Sequence, residues 1–238
     1  HGGAKGAVRQ VMASLGSNSF VMRTDVKSYY ASIDHLKLMD LLACHIRDRS
    51  LLNLLGQYLR RTAERGGSFW EYEKGISLGC PLSPLMGAFY LYELDQRMVG
   101  VFYVRYMDDI LVLAPTRWGL RRAVKMVNEI LSSLGLEKHP DKTYIGNISN
   151  GFEFLGYRFM TEGLSVAKAT FQRFVRHTAR LYEQELQRKV IPSALEQYVR
   201  RWNGWLTGGL DGLSCSYPSG FTFFTPPNKA HDRETRAI

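Results

Sequence analysis

Two adjacent carboxylates, Asp108 and Asp109, lie between two short apolar runs at residues 101–104 and 110–114. The runs predict two buried strands, joined by a tight turn of residues 107–109 with the carboxylates at its tip. Desolvating a carboxylate costs several kcal/mol, so the pair needs a partner, and a divalent cation is the simplest one. An ordinary Asp-rich turn is the alternative, because Asp favours turns for its own backbone reasons.

A further carboxylate, Asp25, ends the apolar run 20–25. If this run is a strand beside the predicted hairpin, Asp25 and Asp108 converge on one point. Oxygen ligands of this kind suit Mg²⁺ or Mn²⁺. Two such ions about 3.5–4 Å apart would activate a 3′-hydroxyl and stabilise a leaving pyrophosphate. The pattern therefore predicts nucleotidyl transfer.

The segments 25–35, 75–84 and 106–109 resemble, in order and spacing, motifs A, B and C of reverse transcriptases from bacterial retroelements, related to group II intron and retron types. Residues 134–143 resemble motif D, and residues 154–159 resemble the motif E primer grip. The resemblance implies an α+β fold, in which a right-hand polymerase palm has a ferredoxin-like antiparallel sheet with helices on one face. A helical thumb follows, and the fingers are largely absent. The implied enzyme is an RNA-directed DNA polymerase that extends a DNA or RNA primer with dNTPs on an RNA template.

The resemblance also assigns roles to single residues. Asp25, Asp108 and Asp109, with the backbone carbonyl of Val26, would bind two Mg²⁺ ions, for which Mn²⁺ is a substitute. Lys142 would be the general acid toward pyrophosphate, and its alternative is a solvated loop lysine. Tyr30 would be the steric gate against a ribose 2′-hydroxyl, or else a core aromatic. The predicted primer grip is Phe154, Leu155 and Gly156.

Motif B departs from the family pattern, because Ser77 replaces a proline and Leu78 replaces a glutamine. Gly75 and Gly79 remain, and they allow the backbone to approach a nucleotide closely. We therefore predict that Gly75, Leu78 and Gly79 contact the nucleotide. Because Leu78 replaces the glutamine, the sequence does not decide how this chain uses a template.

The chain has 238 residues, with 31 Lys and Arg against 22 Asp and Glu, so its formal net charge is +9. A basic chain suits a polyanionic partner. Within residues 168–201, one helical face is predicted to grip nucleic-acid phosphates, although a merely solvated face is the alternative. Its arginines are Arg173, Arg176, Arg180, Arg200 and Arg201.

The coarse element pattern has a helical stretch over 35–63, a helix after Pro84, a hairpin over 101–114 and a helix over 117–134. A turn signal at 146–151, between 142–145 and 152–159, predicts that the motif E region forms a hairpin. Residues 168–206 read as helical with a break near Pro192. We expect a fingers–palm remnant at 1–19, the palm at 20–160, the thumb at 161–207 and a disordered tail at 208–238.

The remaining patterns narrow the class of protein. Cys44, Cys80 and Cys215 lack metal-ligand spacing, and no run predicts a membrane span or a signal peptide, so a cytoplasmic protein is expected. Other readings are a catalytically weak nucleic-acid-binding scaffold in a ribonucleoprotein, and a template-independent or RNA-polymerising relative. If the chain is a fragment, we expect it to need an upstream fingers segment or a partner protein to bind dNTPs well. The biological role stays open among retrotransposition, retron-like synthesis, phage defence and spacer acquisition.

Overall fold

The computed structural model of the protein describes residues 2–60, 62–188, 194–210 and 212–217. The fold is α+β. Its strands are β1 (Phe20–Asp25), β2 (Thr62–Arg65), β3 (Ser68–Glu71), β4 (Phe102–Tyr106), β5 (Asp109–Ala114), β6 (Tyr144–Asn147), β7 (Phe152–Phe154), β8 (Tyr157–Met160), β9 (Gly163–Val166) and β10 (Cys215–Ser216). Its helices are α1 (Gly3–Ser14), α2 (Tyr29–Ser32), α3 (His35–Ala43), α4 (Arg49–Leu59), α5 (Ser83–Tyr90), α6 (Tyr92–Arg97), α7 (Arg117–Ser133), α8 (Lys168–Arg188) and α9 (Ala194–Thr207).

The first sheet is antiparallel, with strand order β4-β5-β1-β6. It is buried on both faces because apolar residues occupy both sets of alternating positions in its central strands. Met22, Ile110 and Val112 point into a core built with helices α3 to α7. Leu111 and Leu113 point into a second core formed with α1, the strands β7 to β9, α8 and α9. Both faces of the sheet are therefore covered, and its strand ends remain available for a site.

The second sheet has the order β10-β9-β8-β7 and leads directly into the two C-terminal helices. Helices α8 and α9 pack through aromatic rings: Phe174 stacks on Trp202 with the ring centroids 4.3 Å apart. Strand β10 pairs in parallel with β9, so Cys215 and Ser216 are ordered in a sheet although they lie in the predicted disordered tail. Pro192 and residues 218–238 lie outside the described residues.

Several predicted elements agree with the structure in place and type. Strand β1 covers 20–25 as predicted, β4 and β5 form the predicted hairpin, and α7 covers 117–133. The helical stretch predicted over 35–63 consists of the two helices α3 and α4, whereas Thr62 and Ala63 lie in strand β2. Asp48 caps the start of α4 by accepting hydrogen bonds from the backbone N–H groups of Ser50 and Leu51. Among the described helices, none is long and apolar enough to cross a membrane.

The motif E region forms a hairpin as predicted, but the predicted turn at 146–151 is not the turn of that hairpin. Strand β6 pairs with β1 instead and so covers the outer edge of that strand, which would otherwise have unpaired backbone groups. The hairpin is formed by β7 and β8 alone. Its two-residue turn is Leu155–Gly156, with φ angles of 49° and 85°. Positive φ at both turn residues matches the twist of the adjoining strands, which explains why the chain reverses there.

Candidate active site

The carboxylates meet where β1 and the β4–β5 hairpin end side by side. In the antiparallel register Asp25 lies opposite Asp109, and the backbone N–H of Val26 donates to the carbonyl of Asp108 at 3.3 Å. The predicted turn includes Asp109. In the structure Asp109 is instead the first residue of β5, so the turn consists of Met107 and Asp108 alone. The register places all three aspartates at the same end of the first sheet, where β1 ends and β5 begins.

The carboxyl group of Asp108 lies beside that of Asp25. Burial raises the pKa of Asp108 above its ordinary value, and the negative charge of Asp25 raises it further. Burial also raises the pKa of Asp109, to about 6, although the nearby Arg23 guanidinium opposes this shift. A carboxyl group with a raised pKa is ionised only at an energetic cost, and a cation placed between such groups would reduce that cost.

Two basic side chains approach the same carboxylates. Lys142 Nζ forms an ion pair with Asp25 Oδ2, and this hydrogen bond raises the pKa of Lys142. A backbone hydrogen bond keeps the segment of Lys142 close to Asp25. The backbone N–H of His139, three residues before Lys142, donates to the carbonyl of Asp25 at 2.8 Å. Arg23 Nη2 lies 3.9 Å from Asp109 Oδ1. Lys142 is half exposed, so it can leave Asp25 without exposing a buried cavity.

The donor set fits a hard divalent cation, since it consists of carboxylate oxygens and a backbone carbonyl at Val26. The predicted cluster of three carboxylates is only partly assembled. Within the described residues, no three His, Cys, Asp or Glu side chains are grouped so that they could hold a metal ion. Asp25 and Asp108 meet, whereas Asp109 faces Arg23. Mg²⁺ binding would therefore require Lys142 and Arg23 to release the carboxylates.

Tyr30 lies beside the turn that carries Asp108. Its hydroxyl is 3.3 Å from Met107 Sδ, and its ring lies 5.5 Å from the ring of Tyr29. Tyr29 is buried and donates to the carbonyl of Gly87, whereas Tyr30 is partly exposed. Of the two adjacent tyrosines, Tyr29 is thus the core residue and Tyr30 is the one that faces the site.

The predicted nucleotide-contacting loop is bonded to the segment that follows β1. The N–H of Gly75 donates to the carbonyl of Ile33 at 2.7 Å, and the N–H of Ile76 donates to the carbonyl of Tyr30 at 2.8 Å. Leu78 is 81% exposed and has no core function. Gly79 has a φ angle of 83°. The loop is therefore hydrogen-bonded to the backbone of Tyr30, and it presents the apolar side chain of Leu78 to solvent.

The predicted primer grip divides into core and surface parts. Phe154 is fully buried, while the turn residues Leu155 and Gly156 lie at the end of the hairpin. A Cβ atom on Gly156 would lie 3.3 Å from the Trp205 ring. The turn therefore packs against α9, and Leu155 and Gly156 remain partly exposed.

The predicted nucleic-acid arginines are exposed on α8 and α9. Arg173, Arg176 and Arg180 line a cavity of about 590 Å³ together with His177 and Tyr198. Arg201 lines a neighbouring cavity with Trp202 and Trp205. Arg200 differs, because it pairs with Glu196 on its own helix at 2.9 Å. Four of the five arginines thus accompany aromatic or imidazole rings along one groove.

Two functional candidates were not identified from the sequence. Arg23 pairs with Asp109, and Arg105 hydrogen-bonds the carbonyl of Met107 at 2.9 Å. The signal was present in both cases, because an arginine inside a mostly apolar strand needs a buried anion or carbonyl partner. The partner itself could not be identified without the fold.

A family model described as reverse transcriptase (RNA-dependent DNA polymerase) matches residues 4–159. The chain belongs to this family, and its fold agrees with that of a right-hand polymerase palm.

Similar proteins and structures agree with this assignment. Protein YkfC of Escherichia coli (strain K12) is 24% identical, over 59% of this chain and 47% of that protein. Group II intron-encoded protein LtrA of Lactococcus lactis subsp. cremoris is 29% identical, over 56% of this chain and 22% of that protein. The chain spans less than half the length of each.

Two solved telomerase structures share the fold. Apo telomerase from Candida Tropicalis aligns with a TM-score of 0.60 at 11% identity, over 73% of this chain and 38% of that one. Telomerase from Candida albicans in complex with a TWJ fragment of telomeric RNA aligns with a TM-score of 0.57 at 14% identity, over 69% and 33%. At these identities the likeness concerns the fold alone.

Proposed function

We propose that this chain carries the polymerase centre of an RNA-directed DNA polymerase, which adds dNTPs to a primer 3′-hydroxyl on an RNA template. The observation that supports this best is the placement of Asp25 and Asp108 at the ends of paired strands, where the backbone N–H of Val26 donates to the Asp108 carbonyl at 3.3 Å. Both residues lie within the part of the chain that matches the reverse transcriptase family. A purely binding protein would gain nothing from buried carboxylates that repel phosphate.

In this proposal Asp25, Asp108 and the Val26 carbonyl would hold two Mg²⁺ ions, and Asp109 would contribute once it is released from Arg23. When bound, such ions lower the pKa of a hydroxyl nucleophile and neutralise charge on a leaving pyrophosphate. Lys142, once it has left Asp25, is free to turn toward the leaving group. Its ammonium then donates a proton to a pyrophosphate oxygen, as a general acid.

The substrate preference follows from Tyr30. Its partly exposed ring, braced by Tyr29 and by contact with Met107, occupies space beside the carboxylates. A ribose 2′-hydroxyl would meet this ring, so dNTPs are favoured over NTPs. Gly75, Leu78 and Gly79 form the loop on the opposite side of Tyr30 and contact the incoming nucleotide or the template.

The nucleic acid would be held by the second sheet and the C-terminal helices. The Leu155–Gly156 turn contacts the primer end, and Phe154 supports it from the core. Arg173, Arg176, Arg180 and Arg201 neutralise backbone phosphates, while Tyr198 offers a ring to the same groove. Arg200 contributes less, because Glu196 already neutralises its charge.

Primer extension with dNTPs and Mg²⁺ on a primed RNA template tests the proposal. We expect extension by the native chain and none by Asp108→Asn. RNA binding should be unchanged or stronger in that variant, because one charge that repels phosphate is removed. Asp40→Asn is the matched control, since Asp40 is an exposed aspartate on α3 away from the site. Undiminished extension by Asp108→Asn would refute the assignment, and RNA binding without extension by the native chain would favour a scaffold.

A further inference from the structure

The guanidinium of Arg105 lies directly beneath the turn that carries Asp108. Its Nη1 donates to the Met107 carbonyl at 2.9 Å, and its Nη2 donates to the Ala88 carbonyl at 3.3 Å. Its Nε donates to Asp95 Oδ1 at 2.8 Å, and Nη2 also forms an ion pair with Asp95 Oδ2. Only 10% of the arginine side chain is exposed. One planar group therefore joins the β4–β5 hairpin to α5 and α6.

Asp95 is also hydrogen-bonded to a residue other than Arg105. The hydroxyl of Tyr103, on β4, donates to Asp95 Oδ1 at 2.7 Å. Asp95 thus accepts hydrogen bonds from two residues of the same strand, and both of its oxygens are used. The arrangement leaves Arg105 little freedom to rotate away from the turn.

The turn that Arg105 contacts is conformationally unfavourable. Met107 has a φ angle of 57°, and it is one of three described non-glycine residues with positive φ, the others being Ser28 and Leu155. A side chain with a Cβ atom adopts this region at a cost, so surrounding contacts must hold it there. The Met107 carbonyl is part of the peptide bond to Asp108, so its position determines the point from which the Asp108 side chain projects.

We propose that Arg105, held by Asp95 and Tyr103, is a positioning residue for polymerisation, which fixes the strained Met107 backbone and thereby aims the Asp108 carboxylate at Asp25. This inference rests on the proposed polymerase function. Arg105 does not touch the reacting atoms. A lysine cannot replace it, because a single ammonium cannot bond Asp95 in a bidentate way and reach two carbonyls in different directions.

Arg105→Lys is the primary test, because it keeps a cation beside Asp95 and so avoids a buried unpaired carboxylate. We expect kcat for primer extension to fall roughly 100-fold, as for a misplacement of about 1 Å in a catalytic group. The dNTP KM should stay within about threefold, since the nucleotide contacts are elsewhere. Arg97→Lys is the matched control, because Arg97 forms an exposed pair with Glu93 on α6 at 3.1 Å and does not contact the turn. It should extend primers at the native rate.

A second readout separates positioning from a general loss of stability. The ¹³C-methyl NMR signal of Met107 should shift in Arg105→Lys, while signals of the core methionines Met22 and Met86 stay in place. Global destabilisation would instead change all the signals or none below the unfolding temperature. This measurement needs no activity, so it remains informative for a variant that does not turn over.

Rescue provides the strictest test. Glycine adopts positive φ freely, so Met107→Gly should hold the turn without help from Arg105. We expect Arg105→Lys to cost much less activity in the Met107→Gly background than in the native one. Equal losses in both backgrounds, with an unshifted Met107 signal, would overturn the positioning role. Native activity in Asp108→Asn would instead overturn the proposed function, so the two failures are distinguishable.

Discussion

Gly87 on α5 allows two adjacent tyrosines to pack beneath the site, and Gly87→Ala is predicted to disturb them. A Cβ atom there would lie 3.2 Å from Tyr29 Cε1 and 3.3 Å from Tyr30 Cε1, so both rings must yield by a few tenths of an ångström. Tyr29 is buried and hydrogen-bonded to the Gly87 carbonyl, so it cannot move easily. Tyr30 is partly exposed, so we expect most of the displacement there.

The magnitude follows from two opposing effects. Replacing a helical glycine by alanine ordinarily stabilises a helix by about 1 kcal/mol. Overpacking a filled site costs about 1–3 kcal/mol, so the expected net effect is a loss of about 1 kcal/mol in the free energy of unfolding. Because the displaced ring is the proposed gate, ribonucleotide incorporation should rise as well.

Urea unfolding and single-nucleotide incorporation with dNTP or NTP measure these two effects. Gly204→Ala is the matched control, since Gly204 lies within α9 and a Cβ atom there would have no neighbour within 4 Å. It should stabilise the protein by about 1 kcal/mol and leave nucleotide preference unchanged. If Gly87→Ala stabilises the protein as much as Gly204→Ala and preserves nucleotide preference, the packing argument for Tyr30 is wrong.

Two further substitutions test the gate and the primer grip. Tyr30→Ala should raise NTP incorporation relative to dNTP, because it removes the ring itself, and an unchanged ratio in single-nucleotide incorporation would reject the gate assignment. Gly156→Ala should destabilise the protein by about 1–3 kcal/mol in urea unfolding, because it forces a Cβ atom into positive φ and against Trp205. Leu155→Gly at the neighbouring position should cost less than Gly156→Ala, because relief of its positive φ offsets part of the lost packing against the second core, and a loss equal to that of Gly156→Ala would argue against this reading of the turn.

Elements with a clear local pattern could be predicted from the sequence. Strand β1 and helix α7 follow from short-range periodicity, and the β4–β5 hairpin follows from two apolar runs around a polar pair. The motif order also led to the right family, because five segments had to occur in sequence. Each of these inferences depends on residues close together in the chain.

Predictions that depended on which segments pair were less successful. The signal at 146–151 predicts a turn between neighbouring strands, yet β6, which precedes it, pairs with β1, more than a hundred residues earlier. Asp109 was expected at the tip of a turn, yet it begins β5 and faces Arg23. A local turn signal cannot tell which strand edge is vacant elsewhere, so these outcomes were not accessible from pattern alone.

The sequence by itself determined the chemistry available to this protein: three aspartates at or beside strand ends, an aromatic residue proposed as the gate, a lysine in a segment that resembles motif D, and a basic C-terminal region. The tertiary structure decided how these groups are paired. The β1–β5 register brings Asp25 to Asp108, and the sheet order brings Lys142 to Asp25 and Arg23 to Asp109. It also placed Arg105 under the Met107 turn by packing α6 against β4. Such pairings depend on sheet register and helix packing between distant segments, and no local sequence period encodes them.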